Sequence, residues 1–241
     1  IKYGAGNGNA ALKNVSSIQD LGNHRVKITY SSKASEVQNG MCFQSRPTVR
    51  DHAGTFFWKS KDITMTSLDI HFLHGFGMVG QHSENITMDD VDFEAPKESG
   101  RTTAGYADFV QMSGCKGTIN ISNCTFAGPH DDPINIHGTF NTVTAISSDR
   151  RTITVQYNHN ETAGFPNFFE GDEIEFMTKG NMITVEDSVR TVTKVDGPDG
   201  MGGNMGDGSG SLTTIKLTLN EAVPSDVQVN QHVVENITYT P

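Results

Sequence analysis

Three stretches of the chain superimpose position by position: Ile-Thr-Met-Thr-Ser-Leu-Asp-Ile at 63–70, Ile-Thr-Met-Asp-Asp-Val-Asp-Phe at 86–93 and Ile-Asn-Ile-Ser-Asn-Cys-Thr-Phe at 119–126. Each is apolar at its first, third, sixth and eighth positions and polar between. Such alternation marks short strands with one buried face, and the polar pair in the middle marks a turn. The leading isoleucines are 23 and then 33 residues apart, and the extra ten are accounted for by a polar loop at 95–105. A unit of this length built from strands and Asn/Asp/Gly turns is a solenoid signature. A leucine-rich repeat would need a Leu ladder and a helical segment in each unit, and neither is present. A parallel β-helix is therefore expected over residues 1–138.

The tripeptides Asp62-Ile63-Thr64 and Asn85-Ile86-Thr87 recur as Asn236-Ile237-Thr238. The repeat thus breaks off after His137 and is expected to resume at 233–241, in a stretch that reads as the start of a strand in a longer protein. Between them lie alternating runs rich in Val, Ile and Thr at 142–147, 152–157, 173–177, 189–195 and 213–219, with hairpin-like turns such as Ser148-Asp149-Arg150. Residues 139–232 are predicted to form an inserted antiparallel β-barrel, since insertions at loop tips are well tolerated. The glycine-rich run at 198–210 reads as a loop.

The all-β class agrees with the composition, which has 25 Gly and only 19% charged residues. A net charge of −10 argues against nucleic acid as a partner, because phosphate binding relies on Lys and Arg. No apolar run approaches the roughly 18 residues a membrane span requires. No leader is legible at Ile1. Cys42, Cys115 and Cys124 are odd in number and lack ligand spacing, which argues against a zinc site and against a disulfide framework. Gly4-Ala5-Gly6-Asn7-Gly8 has the glycines of a dinucleotide fingerprint without a preceding strand, and reads as a loop.

The densest chemistry is Pro129-His130-Asp131-Asp132-Pro133. Alone it reads as a solvated turn. Asp108, however, precedes Asp131 by 23 residues, the period of the repeat. Coils rise by roughly 4.8 Å, so Asp108 and Asp131 are expected to stack with Asp132 beside them, above Gly75 and His52. Three gathered carboxylates repel one another unless chemistry or a metal compensates. They suit acid–base hydrolysis of a glycosidic bond. They also suit Ca²⁺ binding in a polysaccharide lyase. A lyase also wants a Lys or Arg base, and the neighbours here are His130 and His137, so hydrolysis is the preferred reading. A non-catalytic carbohydrate-binding β-helix is the competing class, and it would have no need of stacked acids.

The run from Thr118 to Gly138, the stretch from Arg50 to Asp62 and the terminal Val234 to Pro241 resemble the bacterial α-1,3-galactosidases of glycoside hydrolase family 110. The resemblance implies a right-handed parallel β-helix with a β-barrel insertion. It also implies an exo-acting enzyme that removes terminal α-1,3-linked galactose with inversion, from blood-group B or linear α-galactosyl glycans. No cofactor or metal is implied, and the setting would be extracellular or periplasmic. The catalytic aspartates would be Asp108, Asp131 and Asp132. By likeness to the related polygalacturonase arrangement, Asp131 would be the acid, with the other two positioning water.

Arg50, His52, Trp58, His74, His130 and His137 are the candidate substrate-binding residues. Trp58, the one Trp, offers a sugar platform or core packing. Arg50 and His52 could donate to galactose hydroxyls, as could Arg46, for which a surface role is the more ordinary one. His71 and His74 flank the expected groove, and His130 and His137 bracket the acids.

Overall fold

The computed structural model describes residues 12–35, 37–41, 43, 50, 52–159, 162–163, 165–198 and 213–240. The Gly4–Gly8 run, Cys42, Arg46 and all but the first residue of the glycine-rich run at 198–210 lie outside the described residues. The chain divides into two compact units, Ile1–Pro47 and Thr48–Pro241.

The first unit carries an antiparallel hairpin of β1 (Val15–Gly22) and β2 (Arg25–Tyr30). Asn23 and His24 both have positive φ, 53° and 55°. Two left-handed residues make the tight turn whose twist matches a hairpin. Parallel coils were expected from residue 1, and the hairpin corrects this. A two-residue turn reverses the chain, whereas parallel pairing needs a long crossover.

In the second unit the chain alternates between two parallel sheets. β3 (Thr55–Trp58), β5 (Met78–Gln81), β7 (Val110–Ser113) and β10 (Ile134–His137) form one, in the order β10-β7-β5-β3. β4 (Lys61–Asp69), β6 (Glu84–Phe93) and β8 (Lys116–Ser122) form the other, with β9 (Thr125–Phe126) also pairing β6. Ile63 pairs in register with Ile86, and Ile86 with Ile119, so the repeat is a true structural ladder. The loop at 95–105 includes a short 3₁₀ turn, Lys97–Ser99.

The repeat also dictates the corners. Left-handed residues recur at Lys59, His82 and Gly114, at Asp62, Asn85 and Gly117, and at Ser67, Asp90 and Asn123. Asn, Asp and Gly tolerate this conformation better than other residues. Side chains tie successive corners together: Asn85 Nδ2 donates to Asp62 Oδ1 at 2.8 Å, and Ser67 Oγ to Asp90 Oδ2 at 2.7 Å. Between the sheets lie Ile86, Met88, Val91, Phe93, Phe109, Val110 and Met112, all fully buried. Phe93 stacks on Phe109 at 5.4 Å and on Phe126 at 5.0 Å. Each such side chain contributes about 1.5–3 kcal/mol by leaving water.

The second half is a closed antiparallel barrel of β11 (Phe140–Ile146), β12 (Thr152–Tyr157), β13 (Glu173–Thr178), β14 (Arg190–Asp196), β15 (Thr214–Leu219) and β16 (His232–Asn236). The strand order is β11-β12-β15-β14-β13-β16. In β12 the burial alternates strictly, with Ile153, Val155 and Tyr157 inside. Arg150, left-handed in the predicted turn, donates to the carbonyls of Val223 and Val227.

Residues 233–236 do not return to the parallel sheets. They pair antiparallel with β11 and β13, which closes the barrel and leaves neither strand with an open edge. The Asn-Ile-Thr tripeptide that suggested a new repeat instead ends β16: Asn236 accepts from the Thr238 amide, and Ile237–Tyr239 is a 3₁₀ turn. The barrel therefore extends to Asn236, four residues past the boundary drawn from the sequence.

Candidate active site

Backbone pairing places the acids. Val110 of β7 is in register with Ile134 of β10, with Met78 of β5 and, through Met78, with Thr55 of β3. Two residues earlier, the same register aligns Asp108 with Asp132, Phe76 and Ala53. The Phe109 amide donates to the Asp132 carbonyl at 3.1 Å, which fixes this alignment. The expected partner was Asp131, with Gly75 and His52 below. β7 and β10 are offset by 24 residues rather than 23, which replaces Asp131 by Asp132, and β5 and β7 by 32 rather than 33, which replaces Gly75 by Phe76 and His52 by Ala53. Gly75 is packed closely by its neighbour: at φ 56°, a Cβ there would lie 2.0 Å from the His52 carbonyl oxygen. The ring of Phe76, 6% exposed, occupies that level.

A cleft of about 490 Å³ gathers Asp108, Asp131 and Asp132 with Arg50 and Phe76 at one end. This lies within the roughly 300–1,000 Å³ typical of small-ligand sites. Gln111, Asn135 and His137 line its floor. Gly138, Thr139, Phe140, Asn158, His159 and Thr162 bring the barrel into the far end.

The carboxyls differ in environment. Asp131 and Asp132 are exposed, and Asp131 is ion-paired with the Arg50 guanidinium. Asp108 is only 2% exposed. Its Oδ2 accepts from Asn135 Nδ2 at 3.2 Å, and its buried Oδ1 has no hydrogen-bond partner among the described residues. Burial pushes the Asp108 carboxyl above the ordinary carboxylate range; the Asn135 bond opposes this, as does Arg50, while Asp131 and Asp132 add to it. The Arg50 guanidinium also lies 5.2 Å from the centre of the Phe76 ring.

His137 Nδ1 lies 2.8 Å from its neighbour's carbonyl, Gly138 O, and Nε2 lies 3.3 Å from Gln111 Nε2. A proton on Nδ1 satisfies both contacts, because Nε2 then accepts from the amide. Gln111 Oε1 is buried and has no partner among the described residues. A buried acceptor left unpaired costs about 1–3 kcal/mol.

Of the sequence-derived candidates, the cleft brings together Asp108, Asp131, Asp132, Arg50 and His137. The other four do not line it. Trp58 packs against His82 at 5.3 Å and Phe169 at 6.3 Å. His52 and His74 are exposed and face each other at 6.3 Å. His130 is half-buried in the turn before Asp131. Asn135 and Gln111 were missed, though Ile134-Asn135-Ile136-His137 alternates so that Asn135 shares the face of His137. Nothing local in the sequence marks Phe140 or Asn158. Among the described residues no group of three or more His, Cys, Asp or Glu is arranged to hold a metal ion. Among the described residues no helix is long and apolar enough to cross a membrane.

Residues 152–198 match the family model described as GLAA-B beta-barrel domain II. The chain is 46% identical, over 97% of its length, to a protein of Streptomyces avermitilis named alpha-1,3-galactosidase A. The chain belongs to the α-1,3-galactosidase family. Relatives of the same name from Peterkaempfera griseoplana and Bacteroides thetaiotaomicron are 44% and 38% identical, each over 90% of the chain. These matches cover 36%, 30% and 36% of the three relatives, so the chain spans about a third of their length.

Proposed function

We propose that this chain carries the catalytic carboxylates of an exo-acting glycoside hydrolase that removes terminal α-1,3-linked galactose with inversion. Its substrates are blood-group B or linear α-galactosyl glycans outside the cytoplasm, and its parallel sheets are the coils of a right-handed β-helix. The observation that carries the reading is the gathering of Asp108, Asp131 and Asp132 in one cleft with a guanidinium and an apolar ring. The names of the relatives support the galactosidase part.

Asp108 and Asp132 project from adjacent strands, a spacing of roughly 4.8 Å, with Asp131 one residue along. Side chains splayed from such positions reach the roughly 6.5–9.5 Å that leaves room for an attacking water. In this mechanism Asp131 protonates the departing glycosidic oxygen. Asp108 and Asp132 hold a water on the opposite face of the sugar and accept its proton as it attacks the anomeric carbon. Arg50 orients Asp131, and the amides of Gln111 and Asn135 with His137 bind hydroxyls.

One observation favours a second division of labour. Asp108 is the carboxyl whose burial favours the protonated form, so it is also suited to be the acid, with Asp131 held by Arg50. Proton NMR of the first-formed sugar from an α-1,3-digalactoside tests the main reading. Initial release of β-galactose is expected; α-galactose as first product would reject inversion, and no galactose would reject the hydrolase.

A further inference from the structure

The barrel supplies one end of the cleft, and its anchor there is Phe140. Alternation along β11 sends Val143 into the barrel core. Phe140 is half-buried, belongs to neither apolar core, and lines the cleft. It is nevertheless held firmly. Asn158 Nδ2 donates to the Phe140 carbonyl at 2.9 Å, and Asn158 Oδ1 accepts from Thr142 Oγ1 at 2.6 Å. On the other side only Gly138 and Thr139 separate β11 from β10, and Thr139 Oγ1 lies 3.2 Å from Ser113 Oγ of β7.

Phe76 is the matching ring at the carboxylate end, level with Asp108 and Asp132. β10 runs between the two ends, and its four residues at roughly 3.3 Å each span roughly 13 Å. A single pyranose seated against the carboxylates is too short to reach Phe140. Sugar rings present an apolar C–H face that packs on aromatic carbon.

We propose that Phe140 is the platform for the sugar on the leaving side of the scissile bond, with the terminal galactose on the Phe76 side. The barrel is then a specificity wall of the active site. This rests on the hydrolase reading above.

The test compares Phe140→Ala and Phe140→Tyr in the full-length enzyme on two substrates. One is an α-1,3-digalactoside; the other is α-galactosyl fluoride, which has no leaving sugar. In Phe140→Ala the ratio of kcat/KM for digalactoside over fluoride should fall about tenfold, through KM, and Phe140→Tyr should restore it. An unchanged ratio, whether from equal losses or from none, overturns the proposal, and misfolding of the Ala variant leaves the Tyr and wild-type ratios to be read against Phe140→Leu. Calorimetry separates this from the hydrolase reading. In Phe140→Ala the digalactoside should bind about tenfold more weakly and free galactose alike, whether or not the wild type turns it over.

Discussion

Gly77 packs its bare Cα against Asp108: a Cβ there would lie 2.0 Å from the Asp108 carbonyl oxygen, and its φ of 79° is one that side chains disfavour. The obstruction is backbone, which cannot swing aside. Gly77→Ala should therefore cost about 1–2 kcal/mol for the left-handed conformation alone, with more for the shifted strand. Urea unfolding should show the loss, and on the proposed mechanism activity should fall further than stability because the displaced residue carries one of the three cleft carboxyls. Wild-type stability in this variant would reject the close approach.

Asp131→Asn should lower kcat on the natural linkage by about 10²–10⁴-fold. With an activated leaving group, which needs little protonation, the loss should shrink, and it should not shrink in Asp108→Asn or Asp132→Asn. If the rescue appears in Asp108→Asn instead, the acid is Asp108. The three carboxyls interact, so a pH–rate profile reports values for the cluster.

The Arg50–Asp131 pair is partly exposed, with side chains 25% and 45% accessible. Pairs in that setting contribute about 0–1 kcal/mol. Arg50→Met, which removes the charge but keeps a long unbranched side chain, should thus move the unfolding midpoint little. Its kcat/KM should nonetheless fall at least about tenfold, equivalent to about 1.4 kcal/mol of transition-state binding. Equal effects on stability and activity would make Arg50 structural.

His82 sits among Trp58, Phe169 and Tyr239, and burial, with Lys59 nearby, depresses its pKa to about 4. The neutral ring therefore contributes stability fully above the unfolded value of 6.5, and that contribution is lost as pH falls toward 4. Over that span it is worth roughly 3 kcal/mol. Asp108, Asp172 and Glu235, pushed up by burial, act in the opposite sense: their contribution is present at low pH and lost as pH rises through their folded values. His82→Phe should flatten the fall in stability between about pH 6.5 and about pH 4 measured by urea titration. An unchanged slope would place the pH dependence elsewhere.

The ladder of Ile63, Ile86 and Ile119 was legible because one buried face imposes period two on each strand and a fixed length on each repeat. The same counting failed by one residue at Asp108 because β8 carries an additional residue between Lys116 and Ile119, where its register shifts against β6, and a bulge of this kind leaves the apolar alternation on either side of it intact. β16 was misread because Asn-Ile-Thr suits a strand end in either architecture; only pairing with β11 and β13 distinguishes them. His137 could be picked out beside the acids. Phe140 could not, since its place in the cleft depends on how the chain leaves β10 and enters the barrel as β11.

β11 and β16, the strands that open and close the barrel, are themselves hydrogen-bonded neighbours, with Phe140 opposite Glu235. A module whose entrance and exit lie side by side can be exchanged between genes without disturbing its host, as a cassette. Each exchange would deliver a new residue at position 140 to a cleft whose acids stay in place. If the cleft is the hydrolytic site proposed above, recombination of this one module would retune the choice of glycan while the acids that act on the bond are inherited intact.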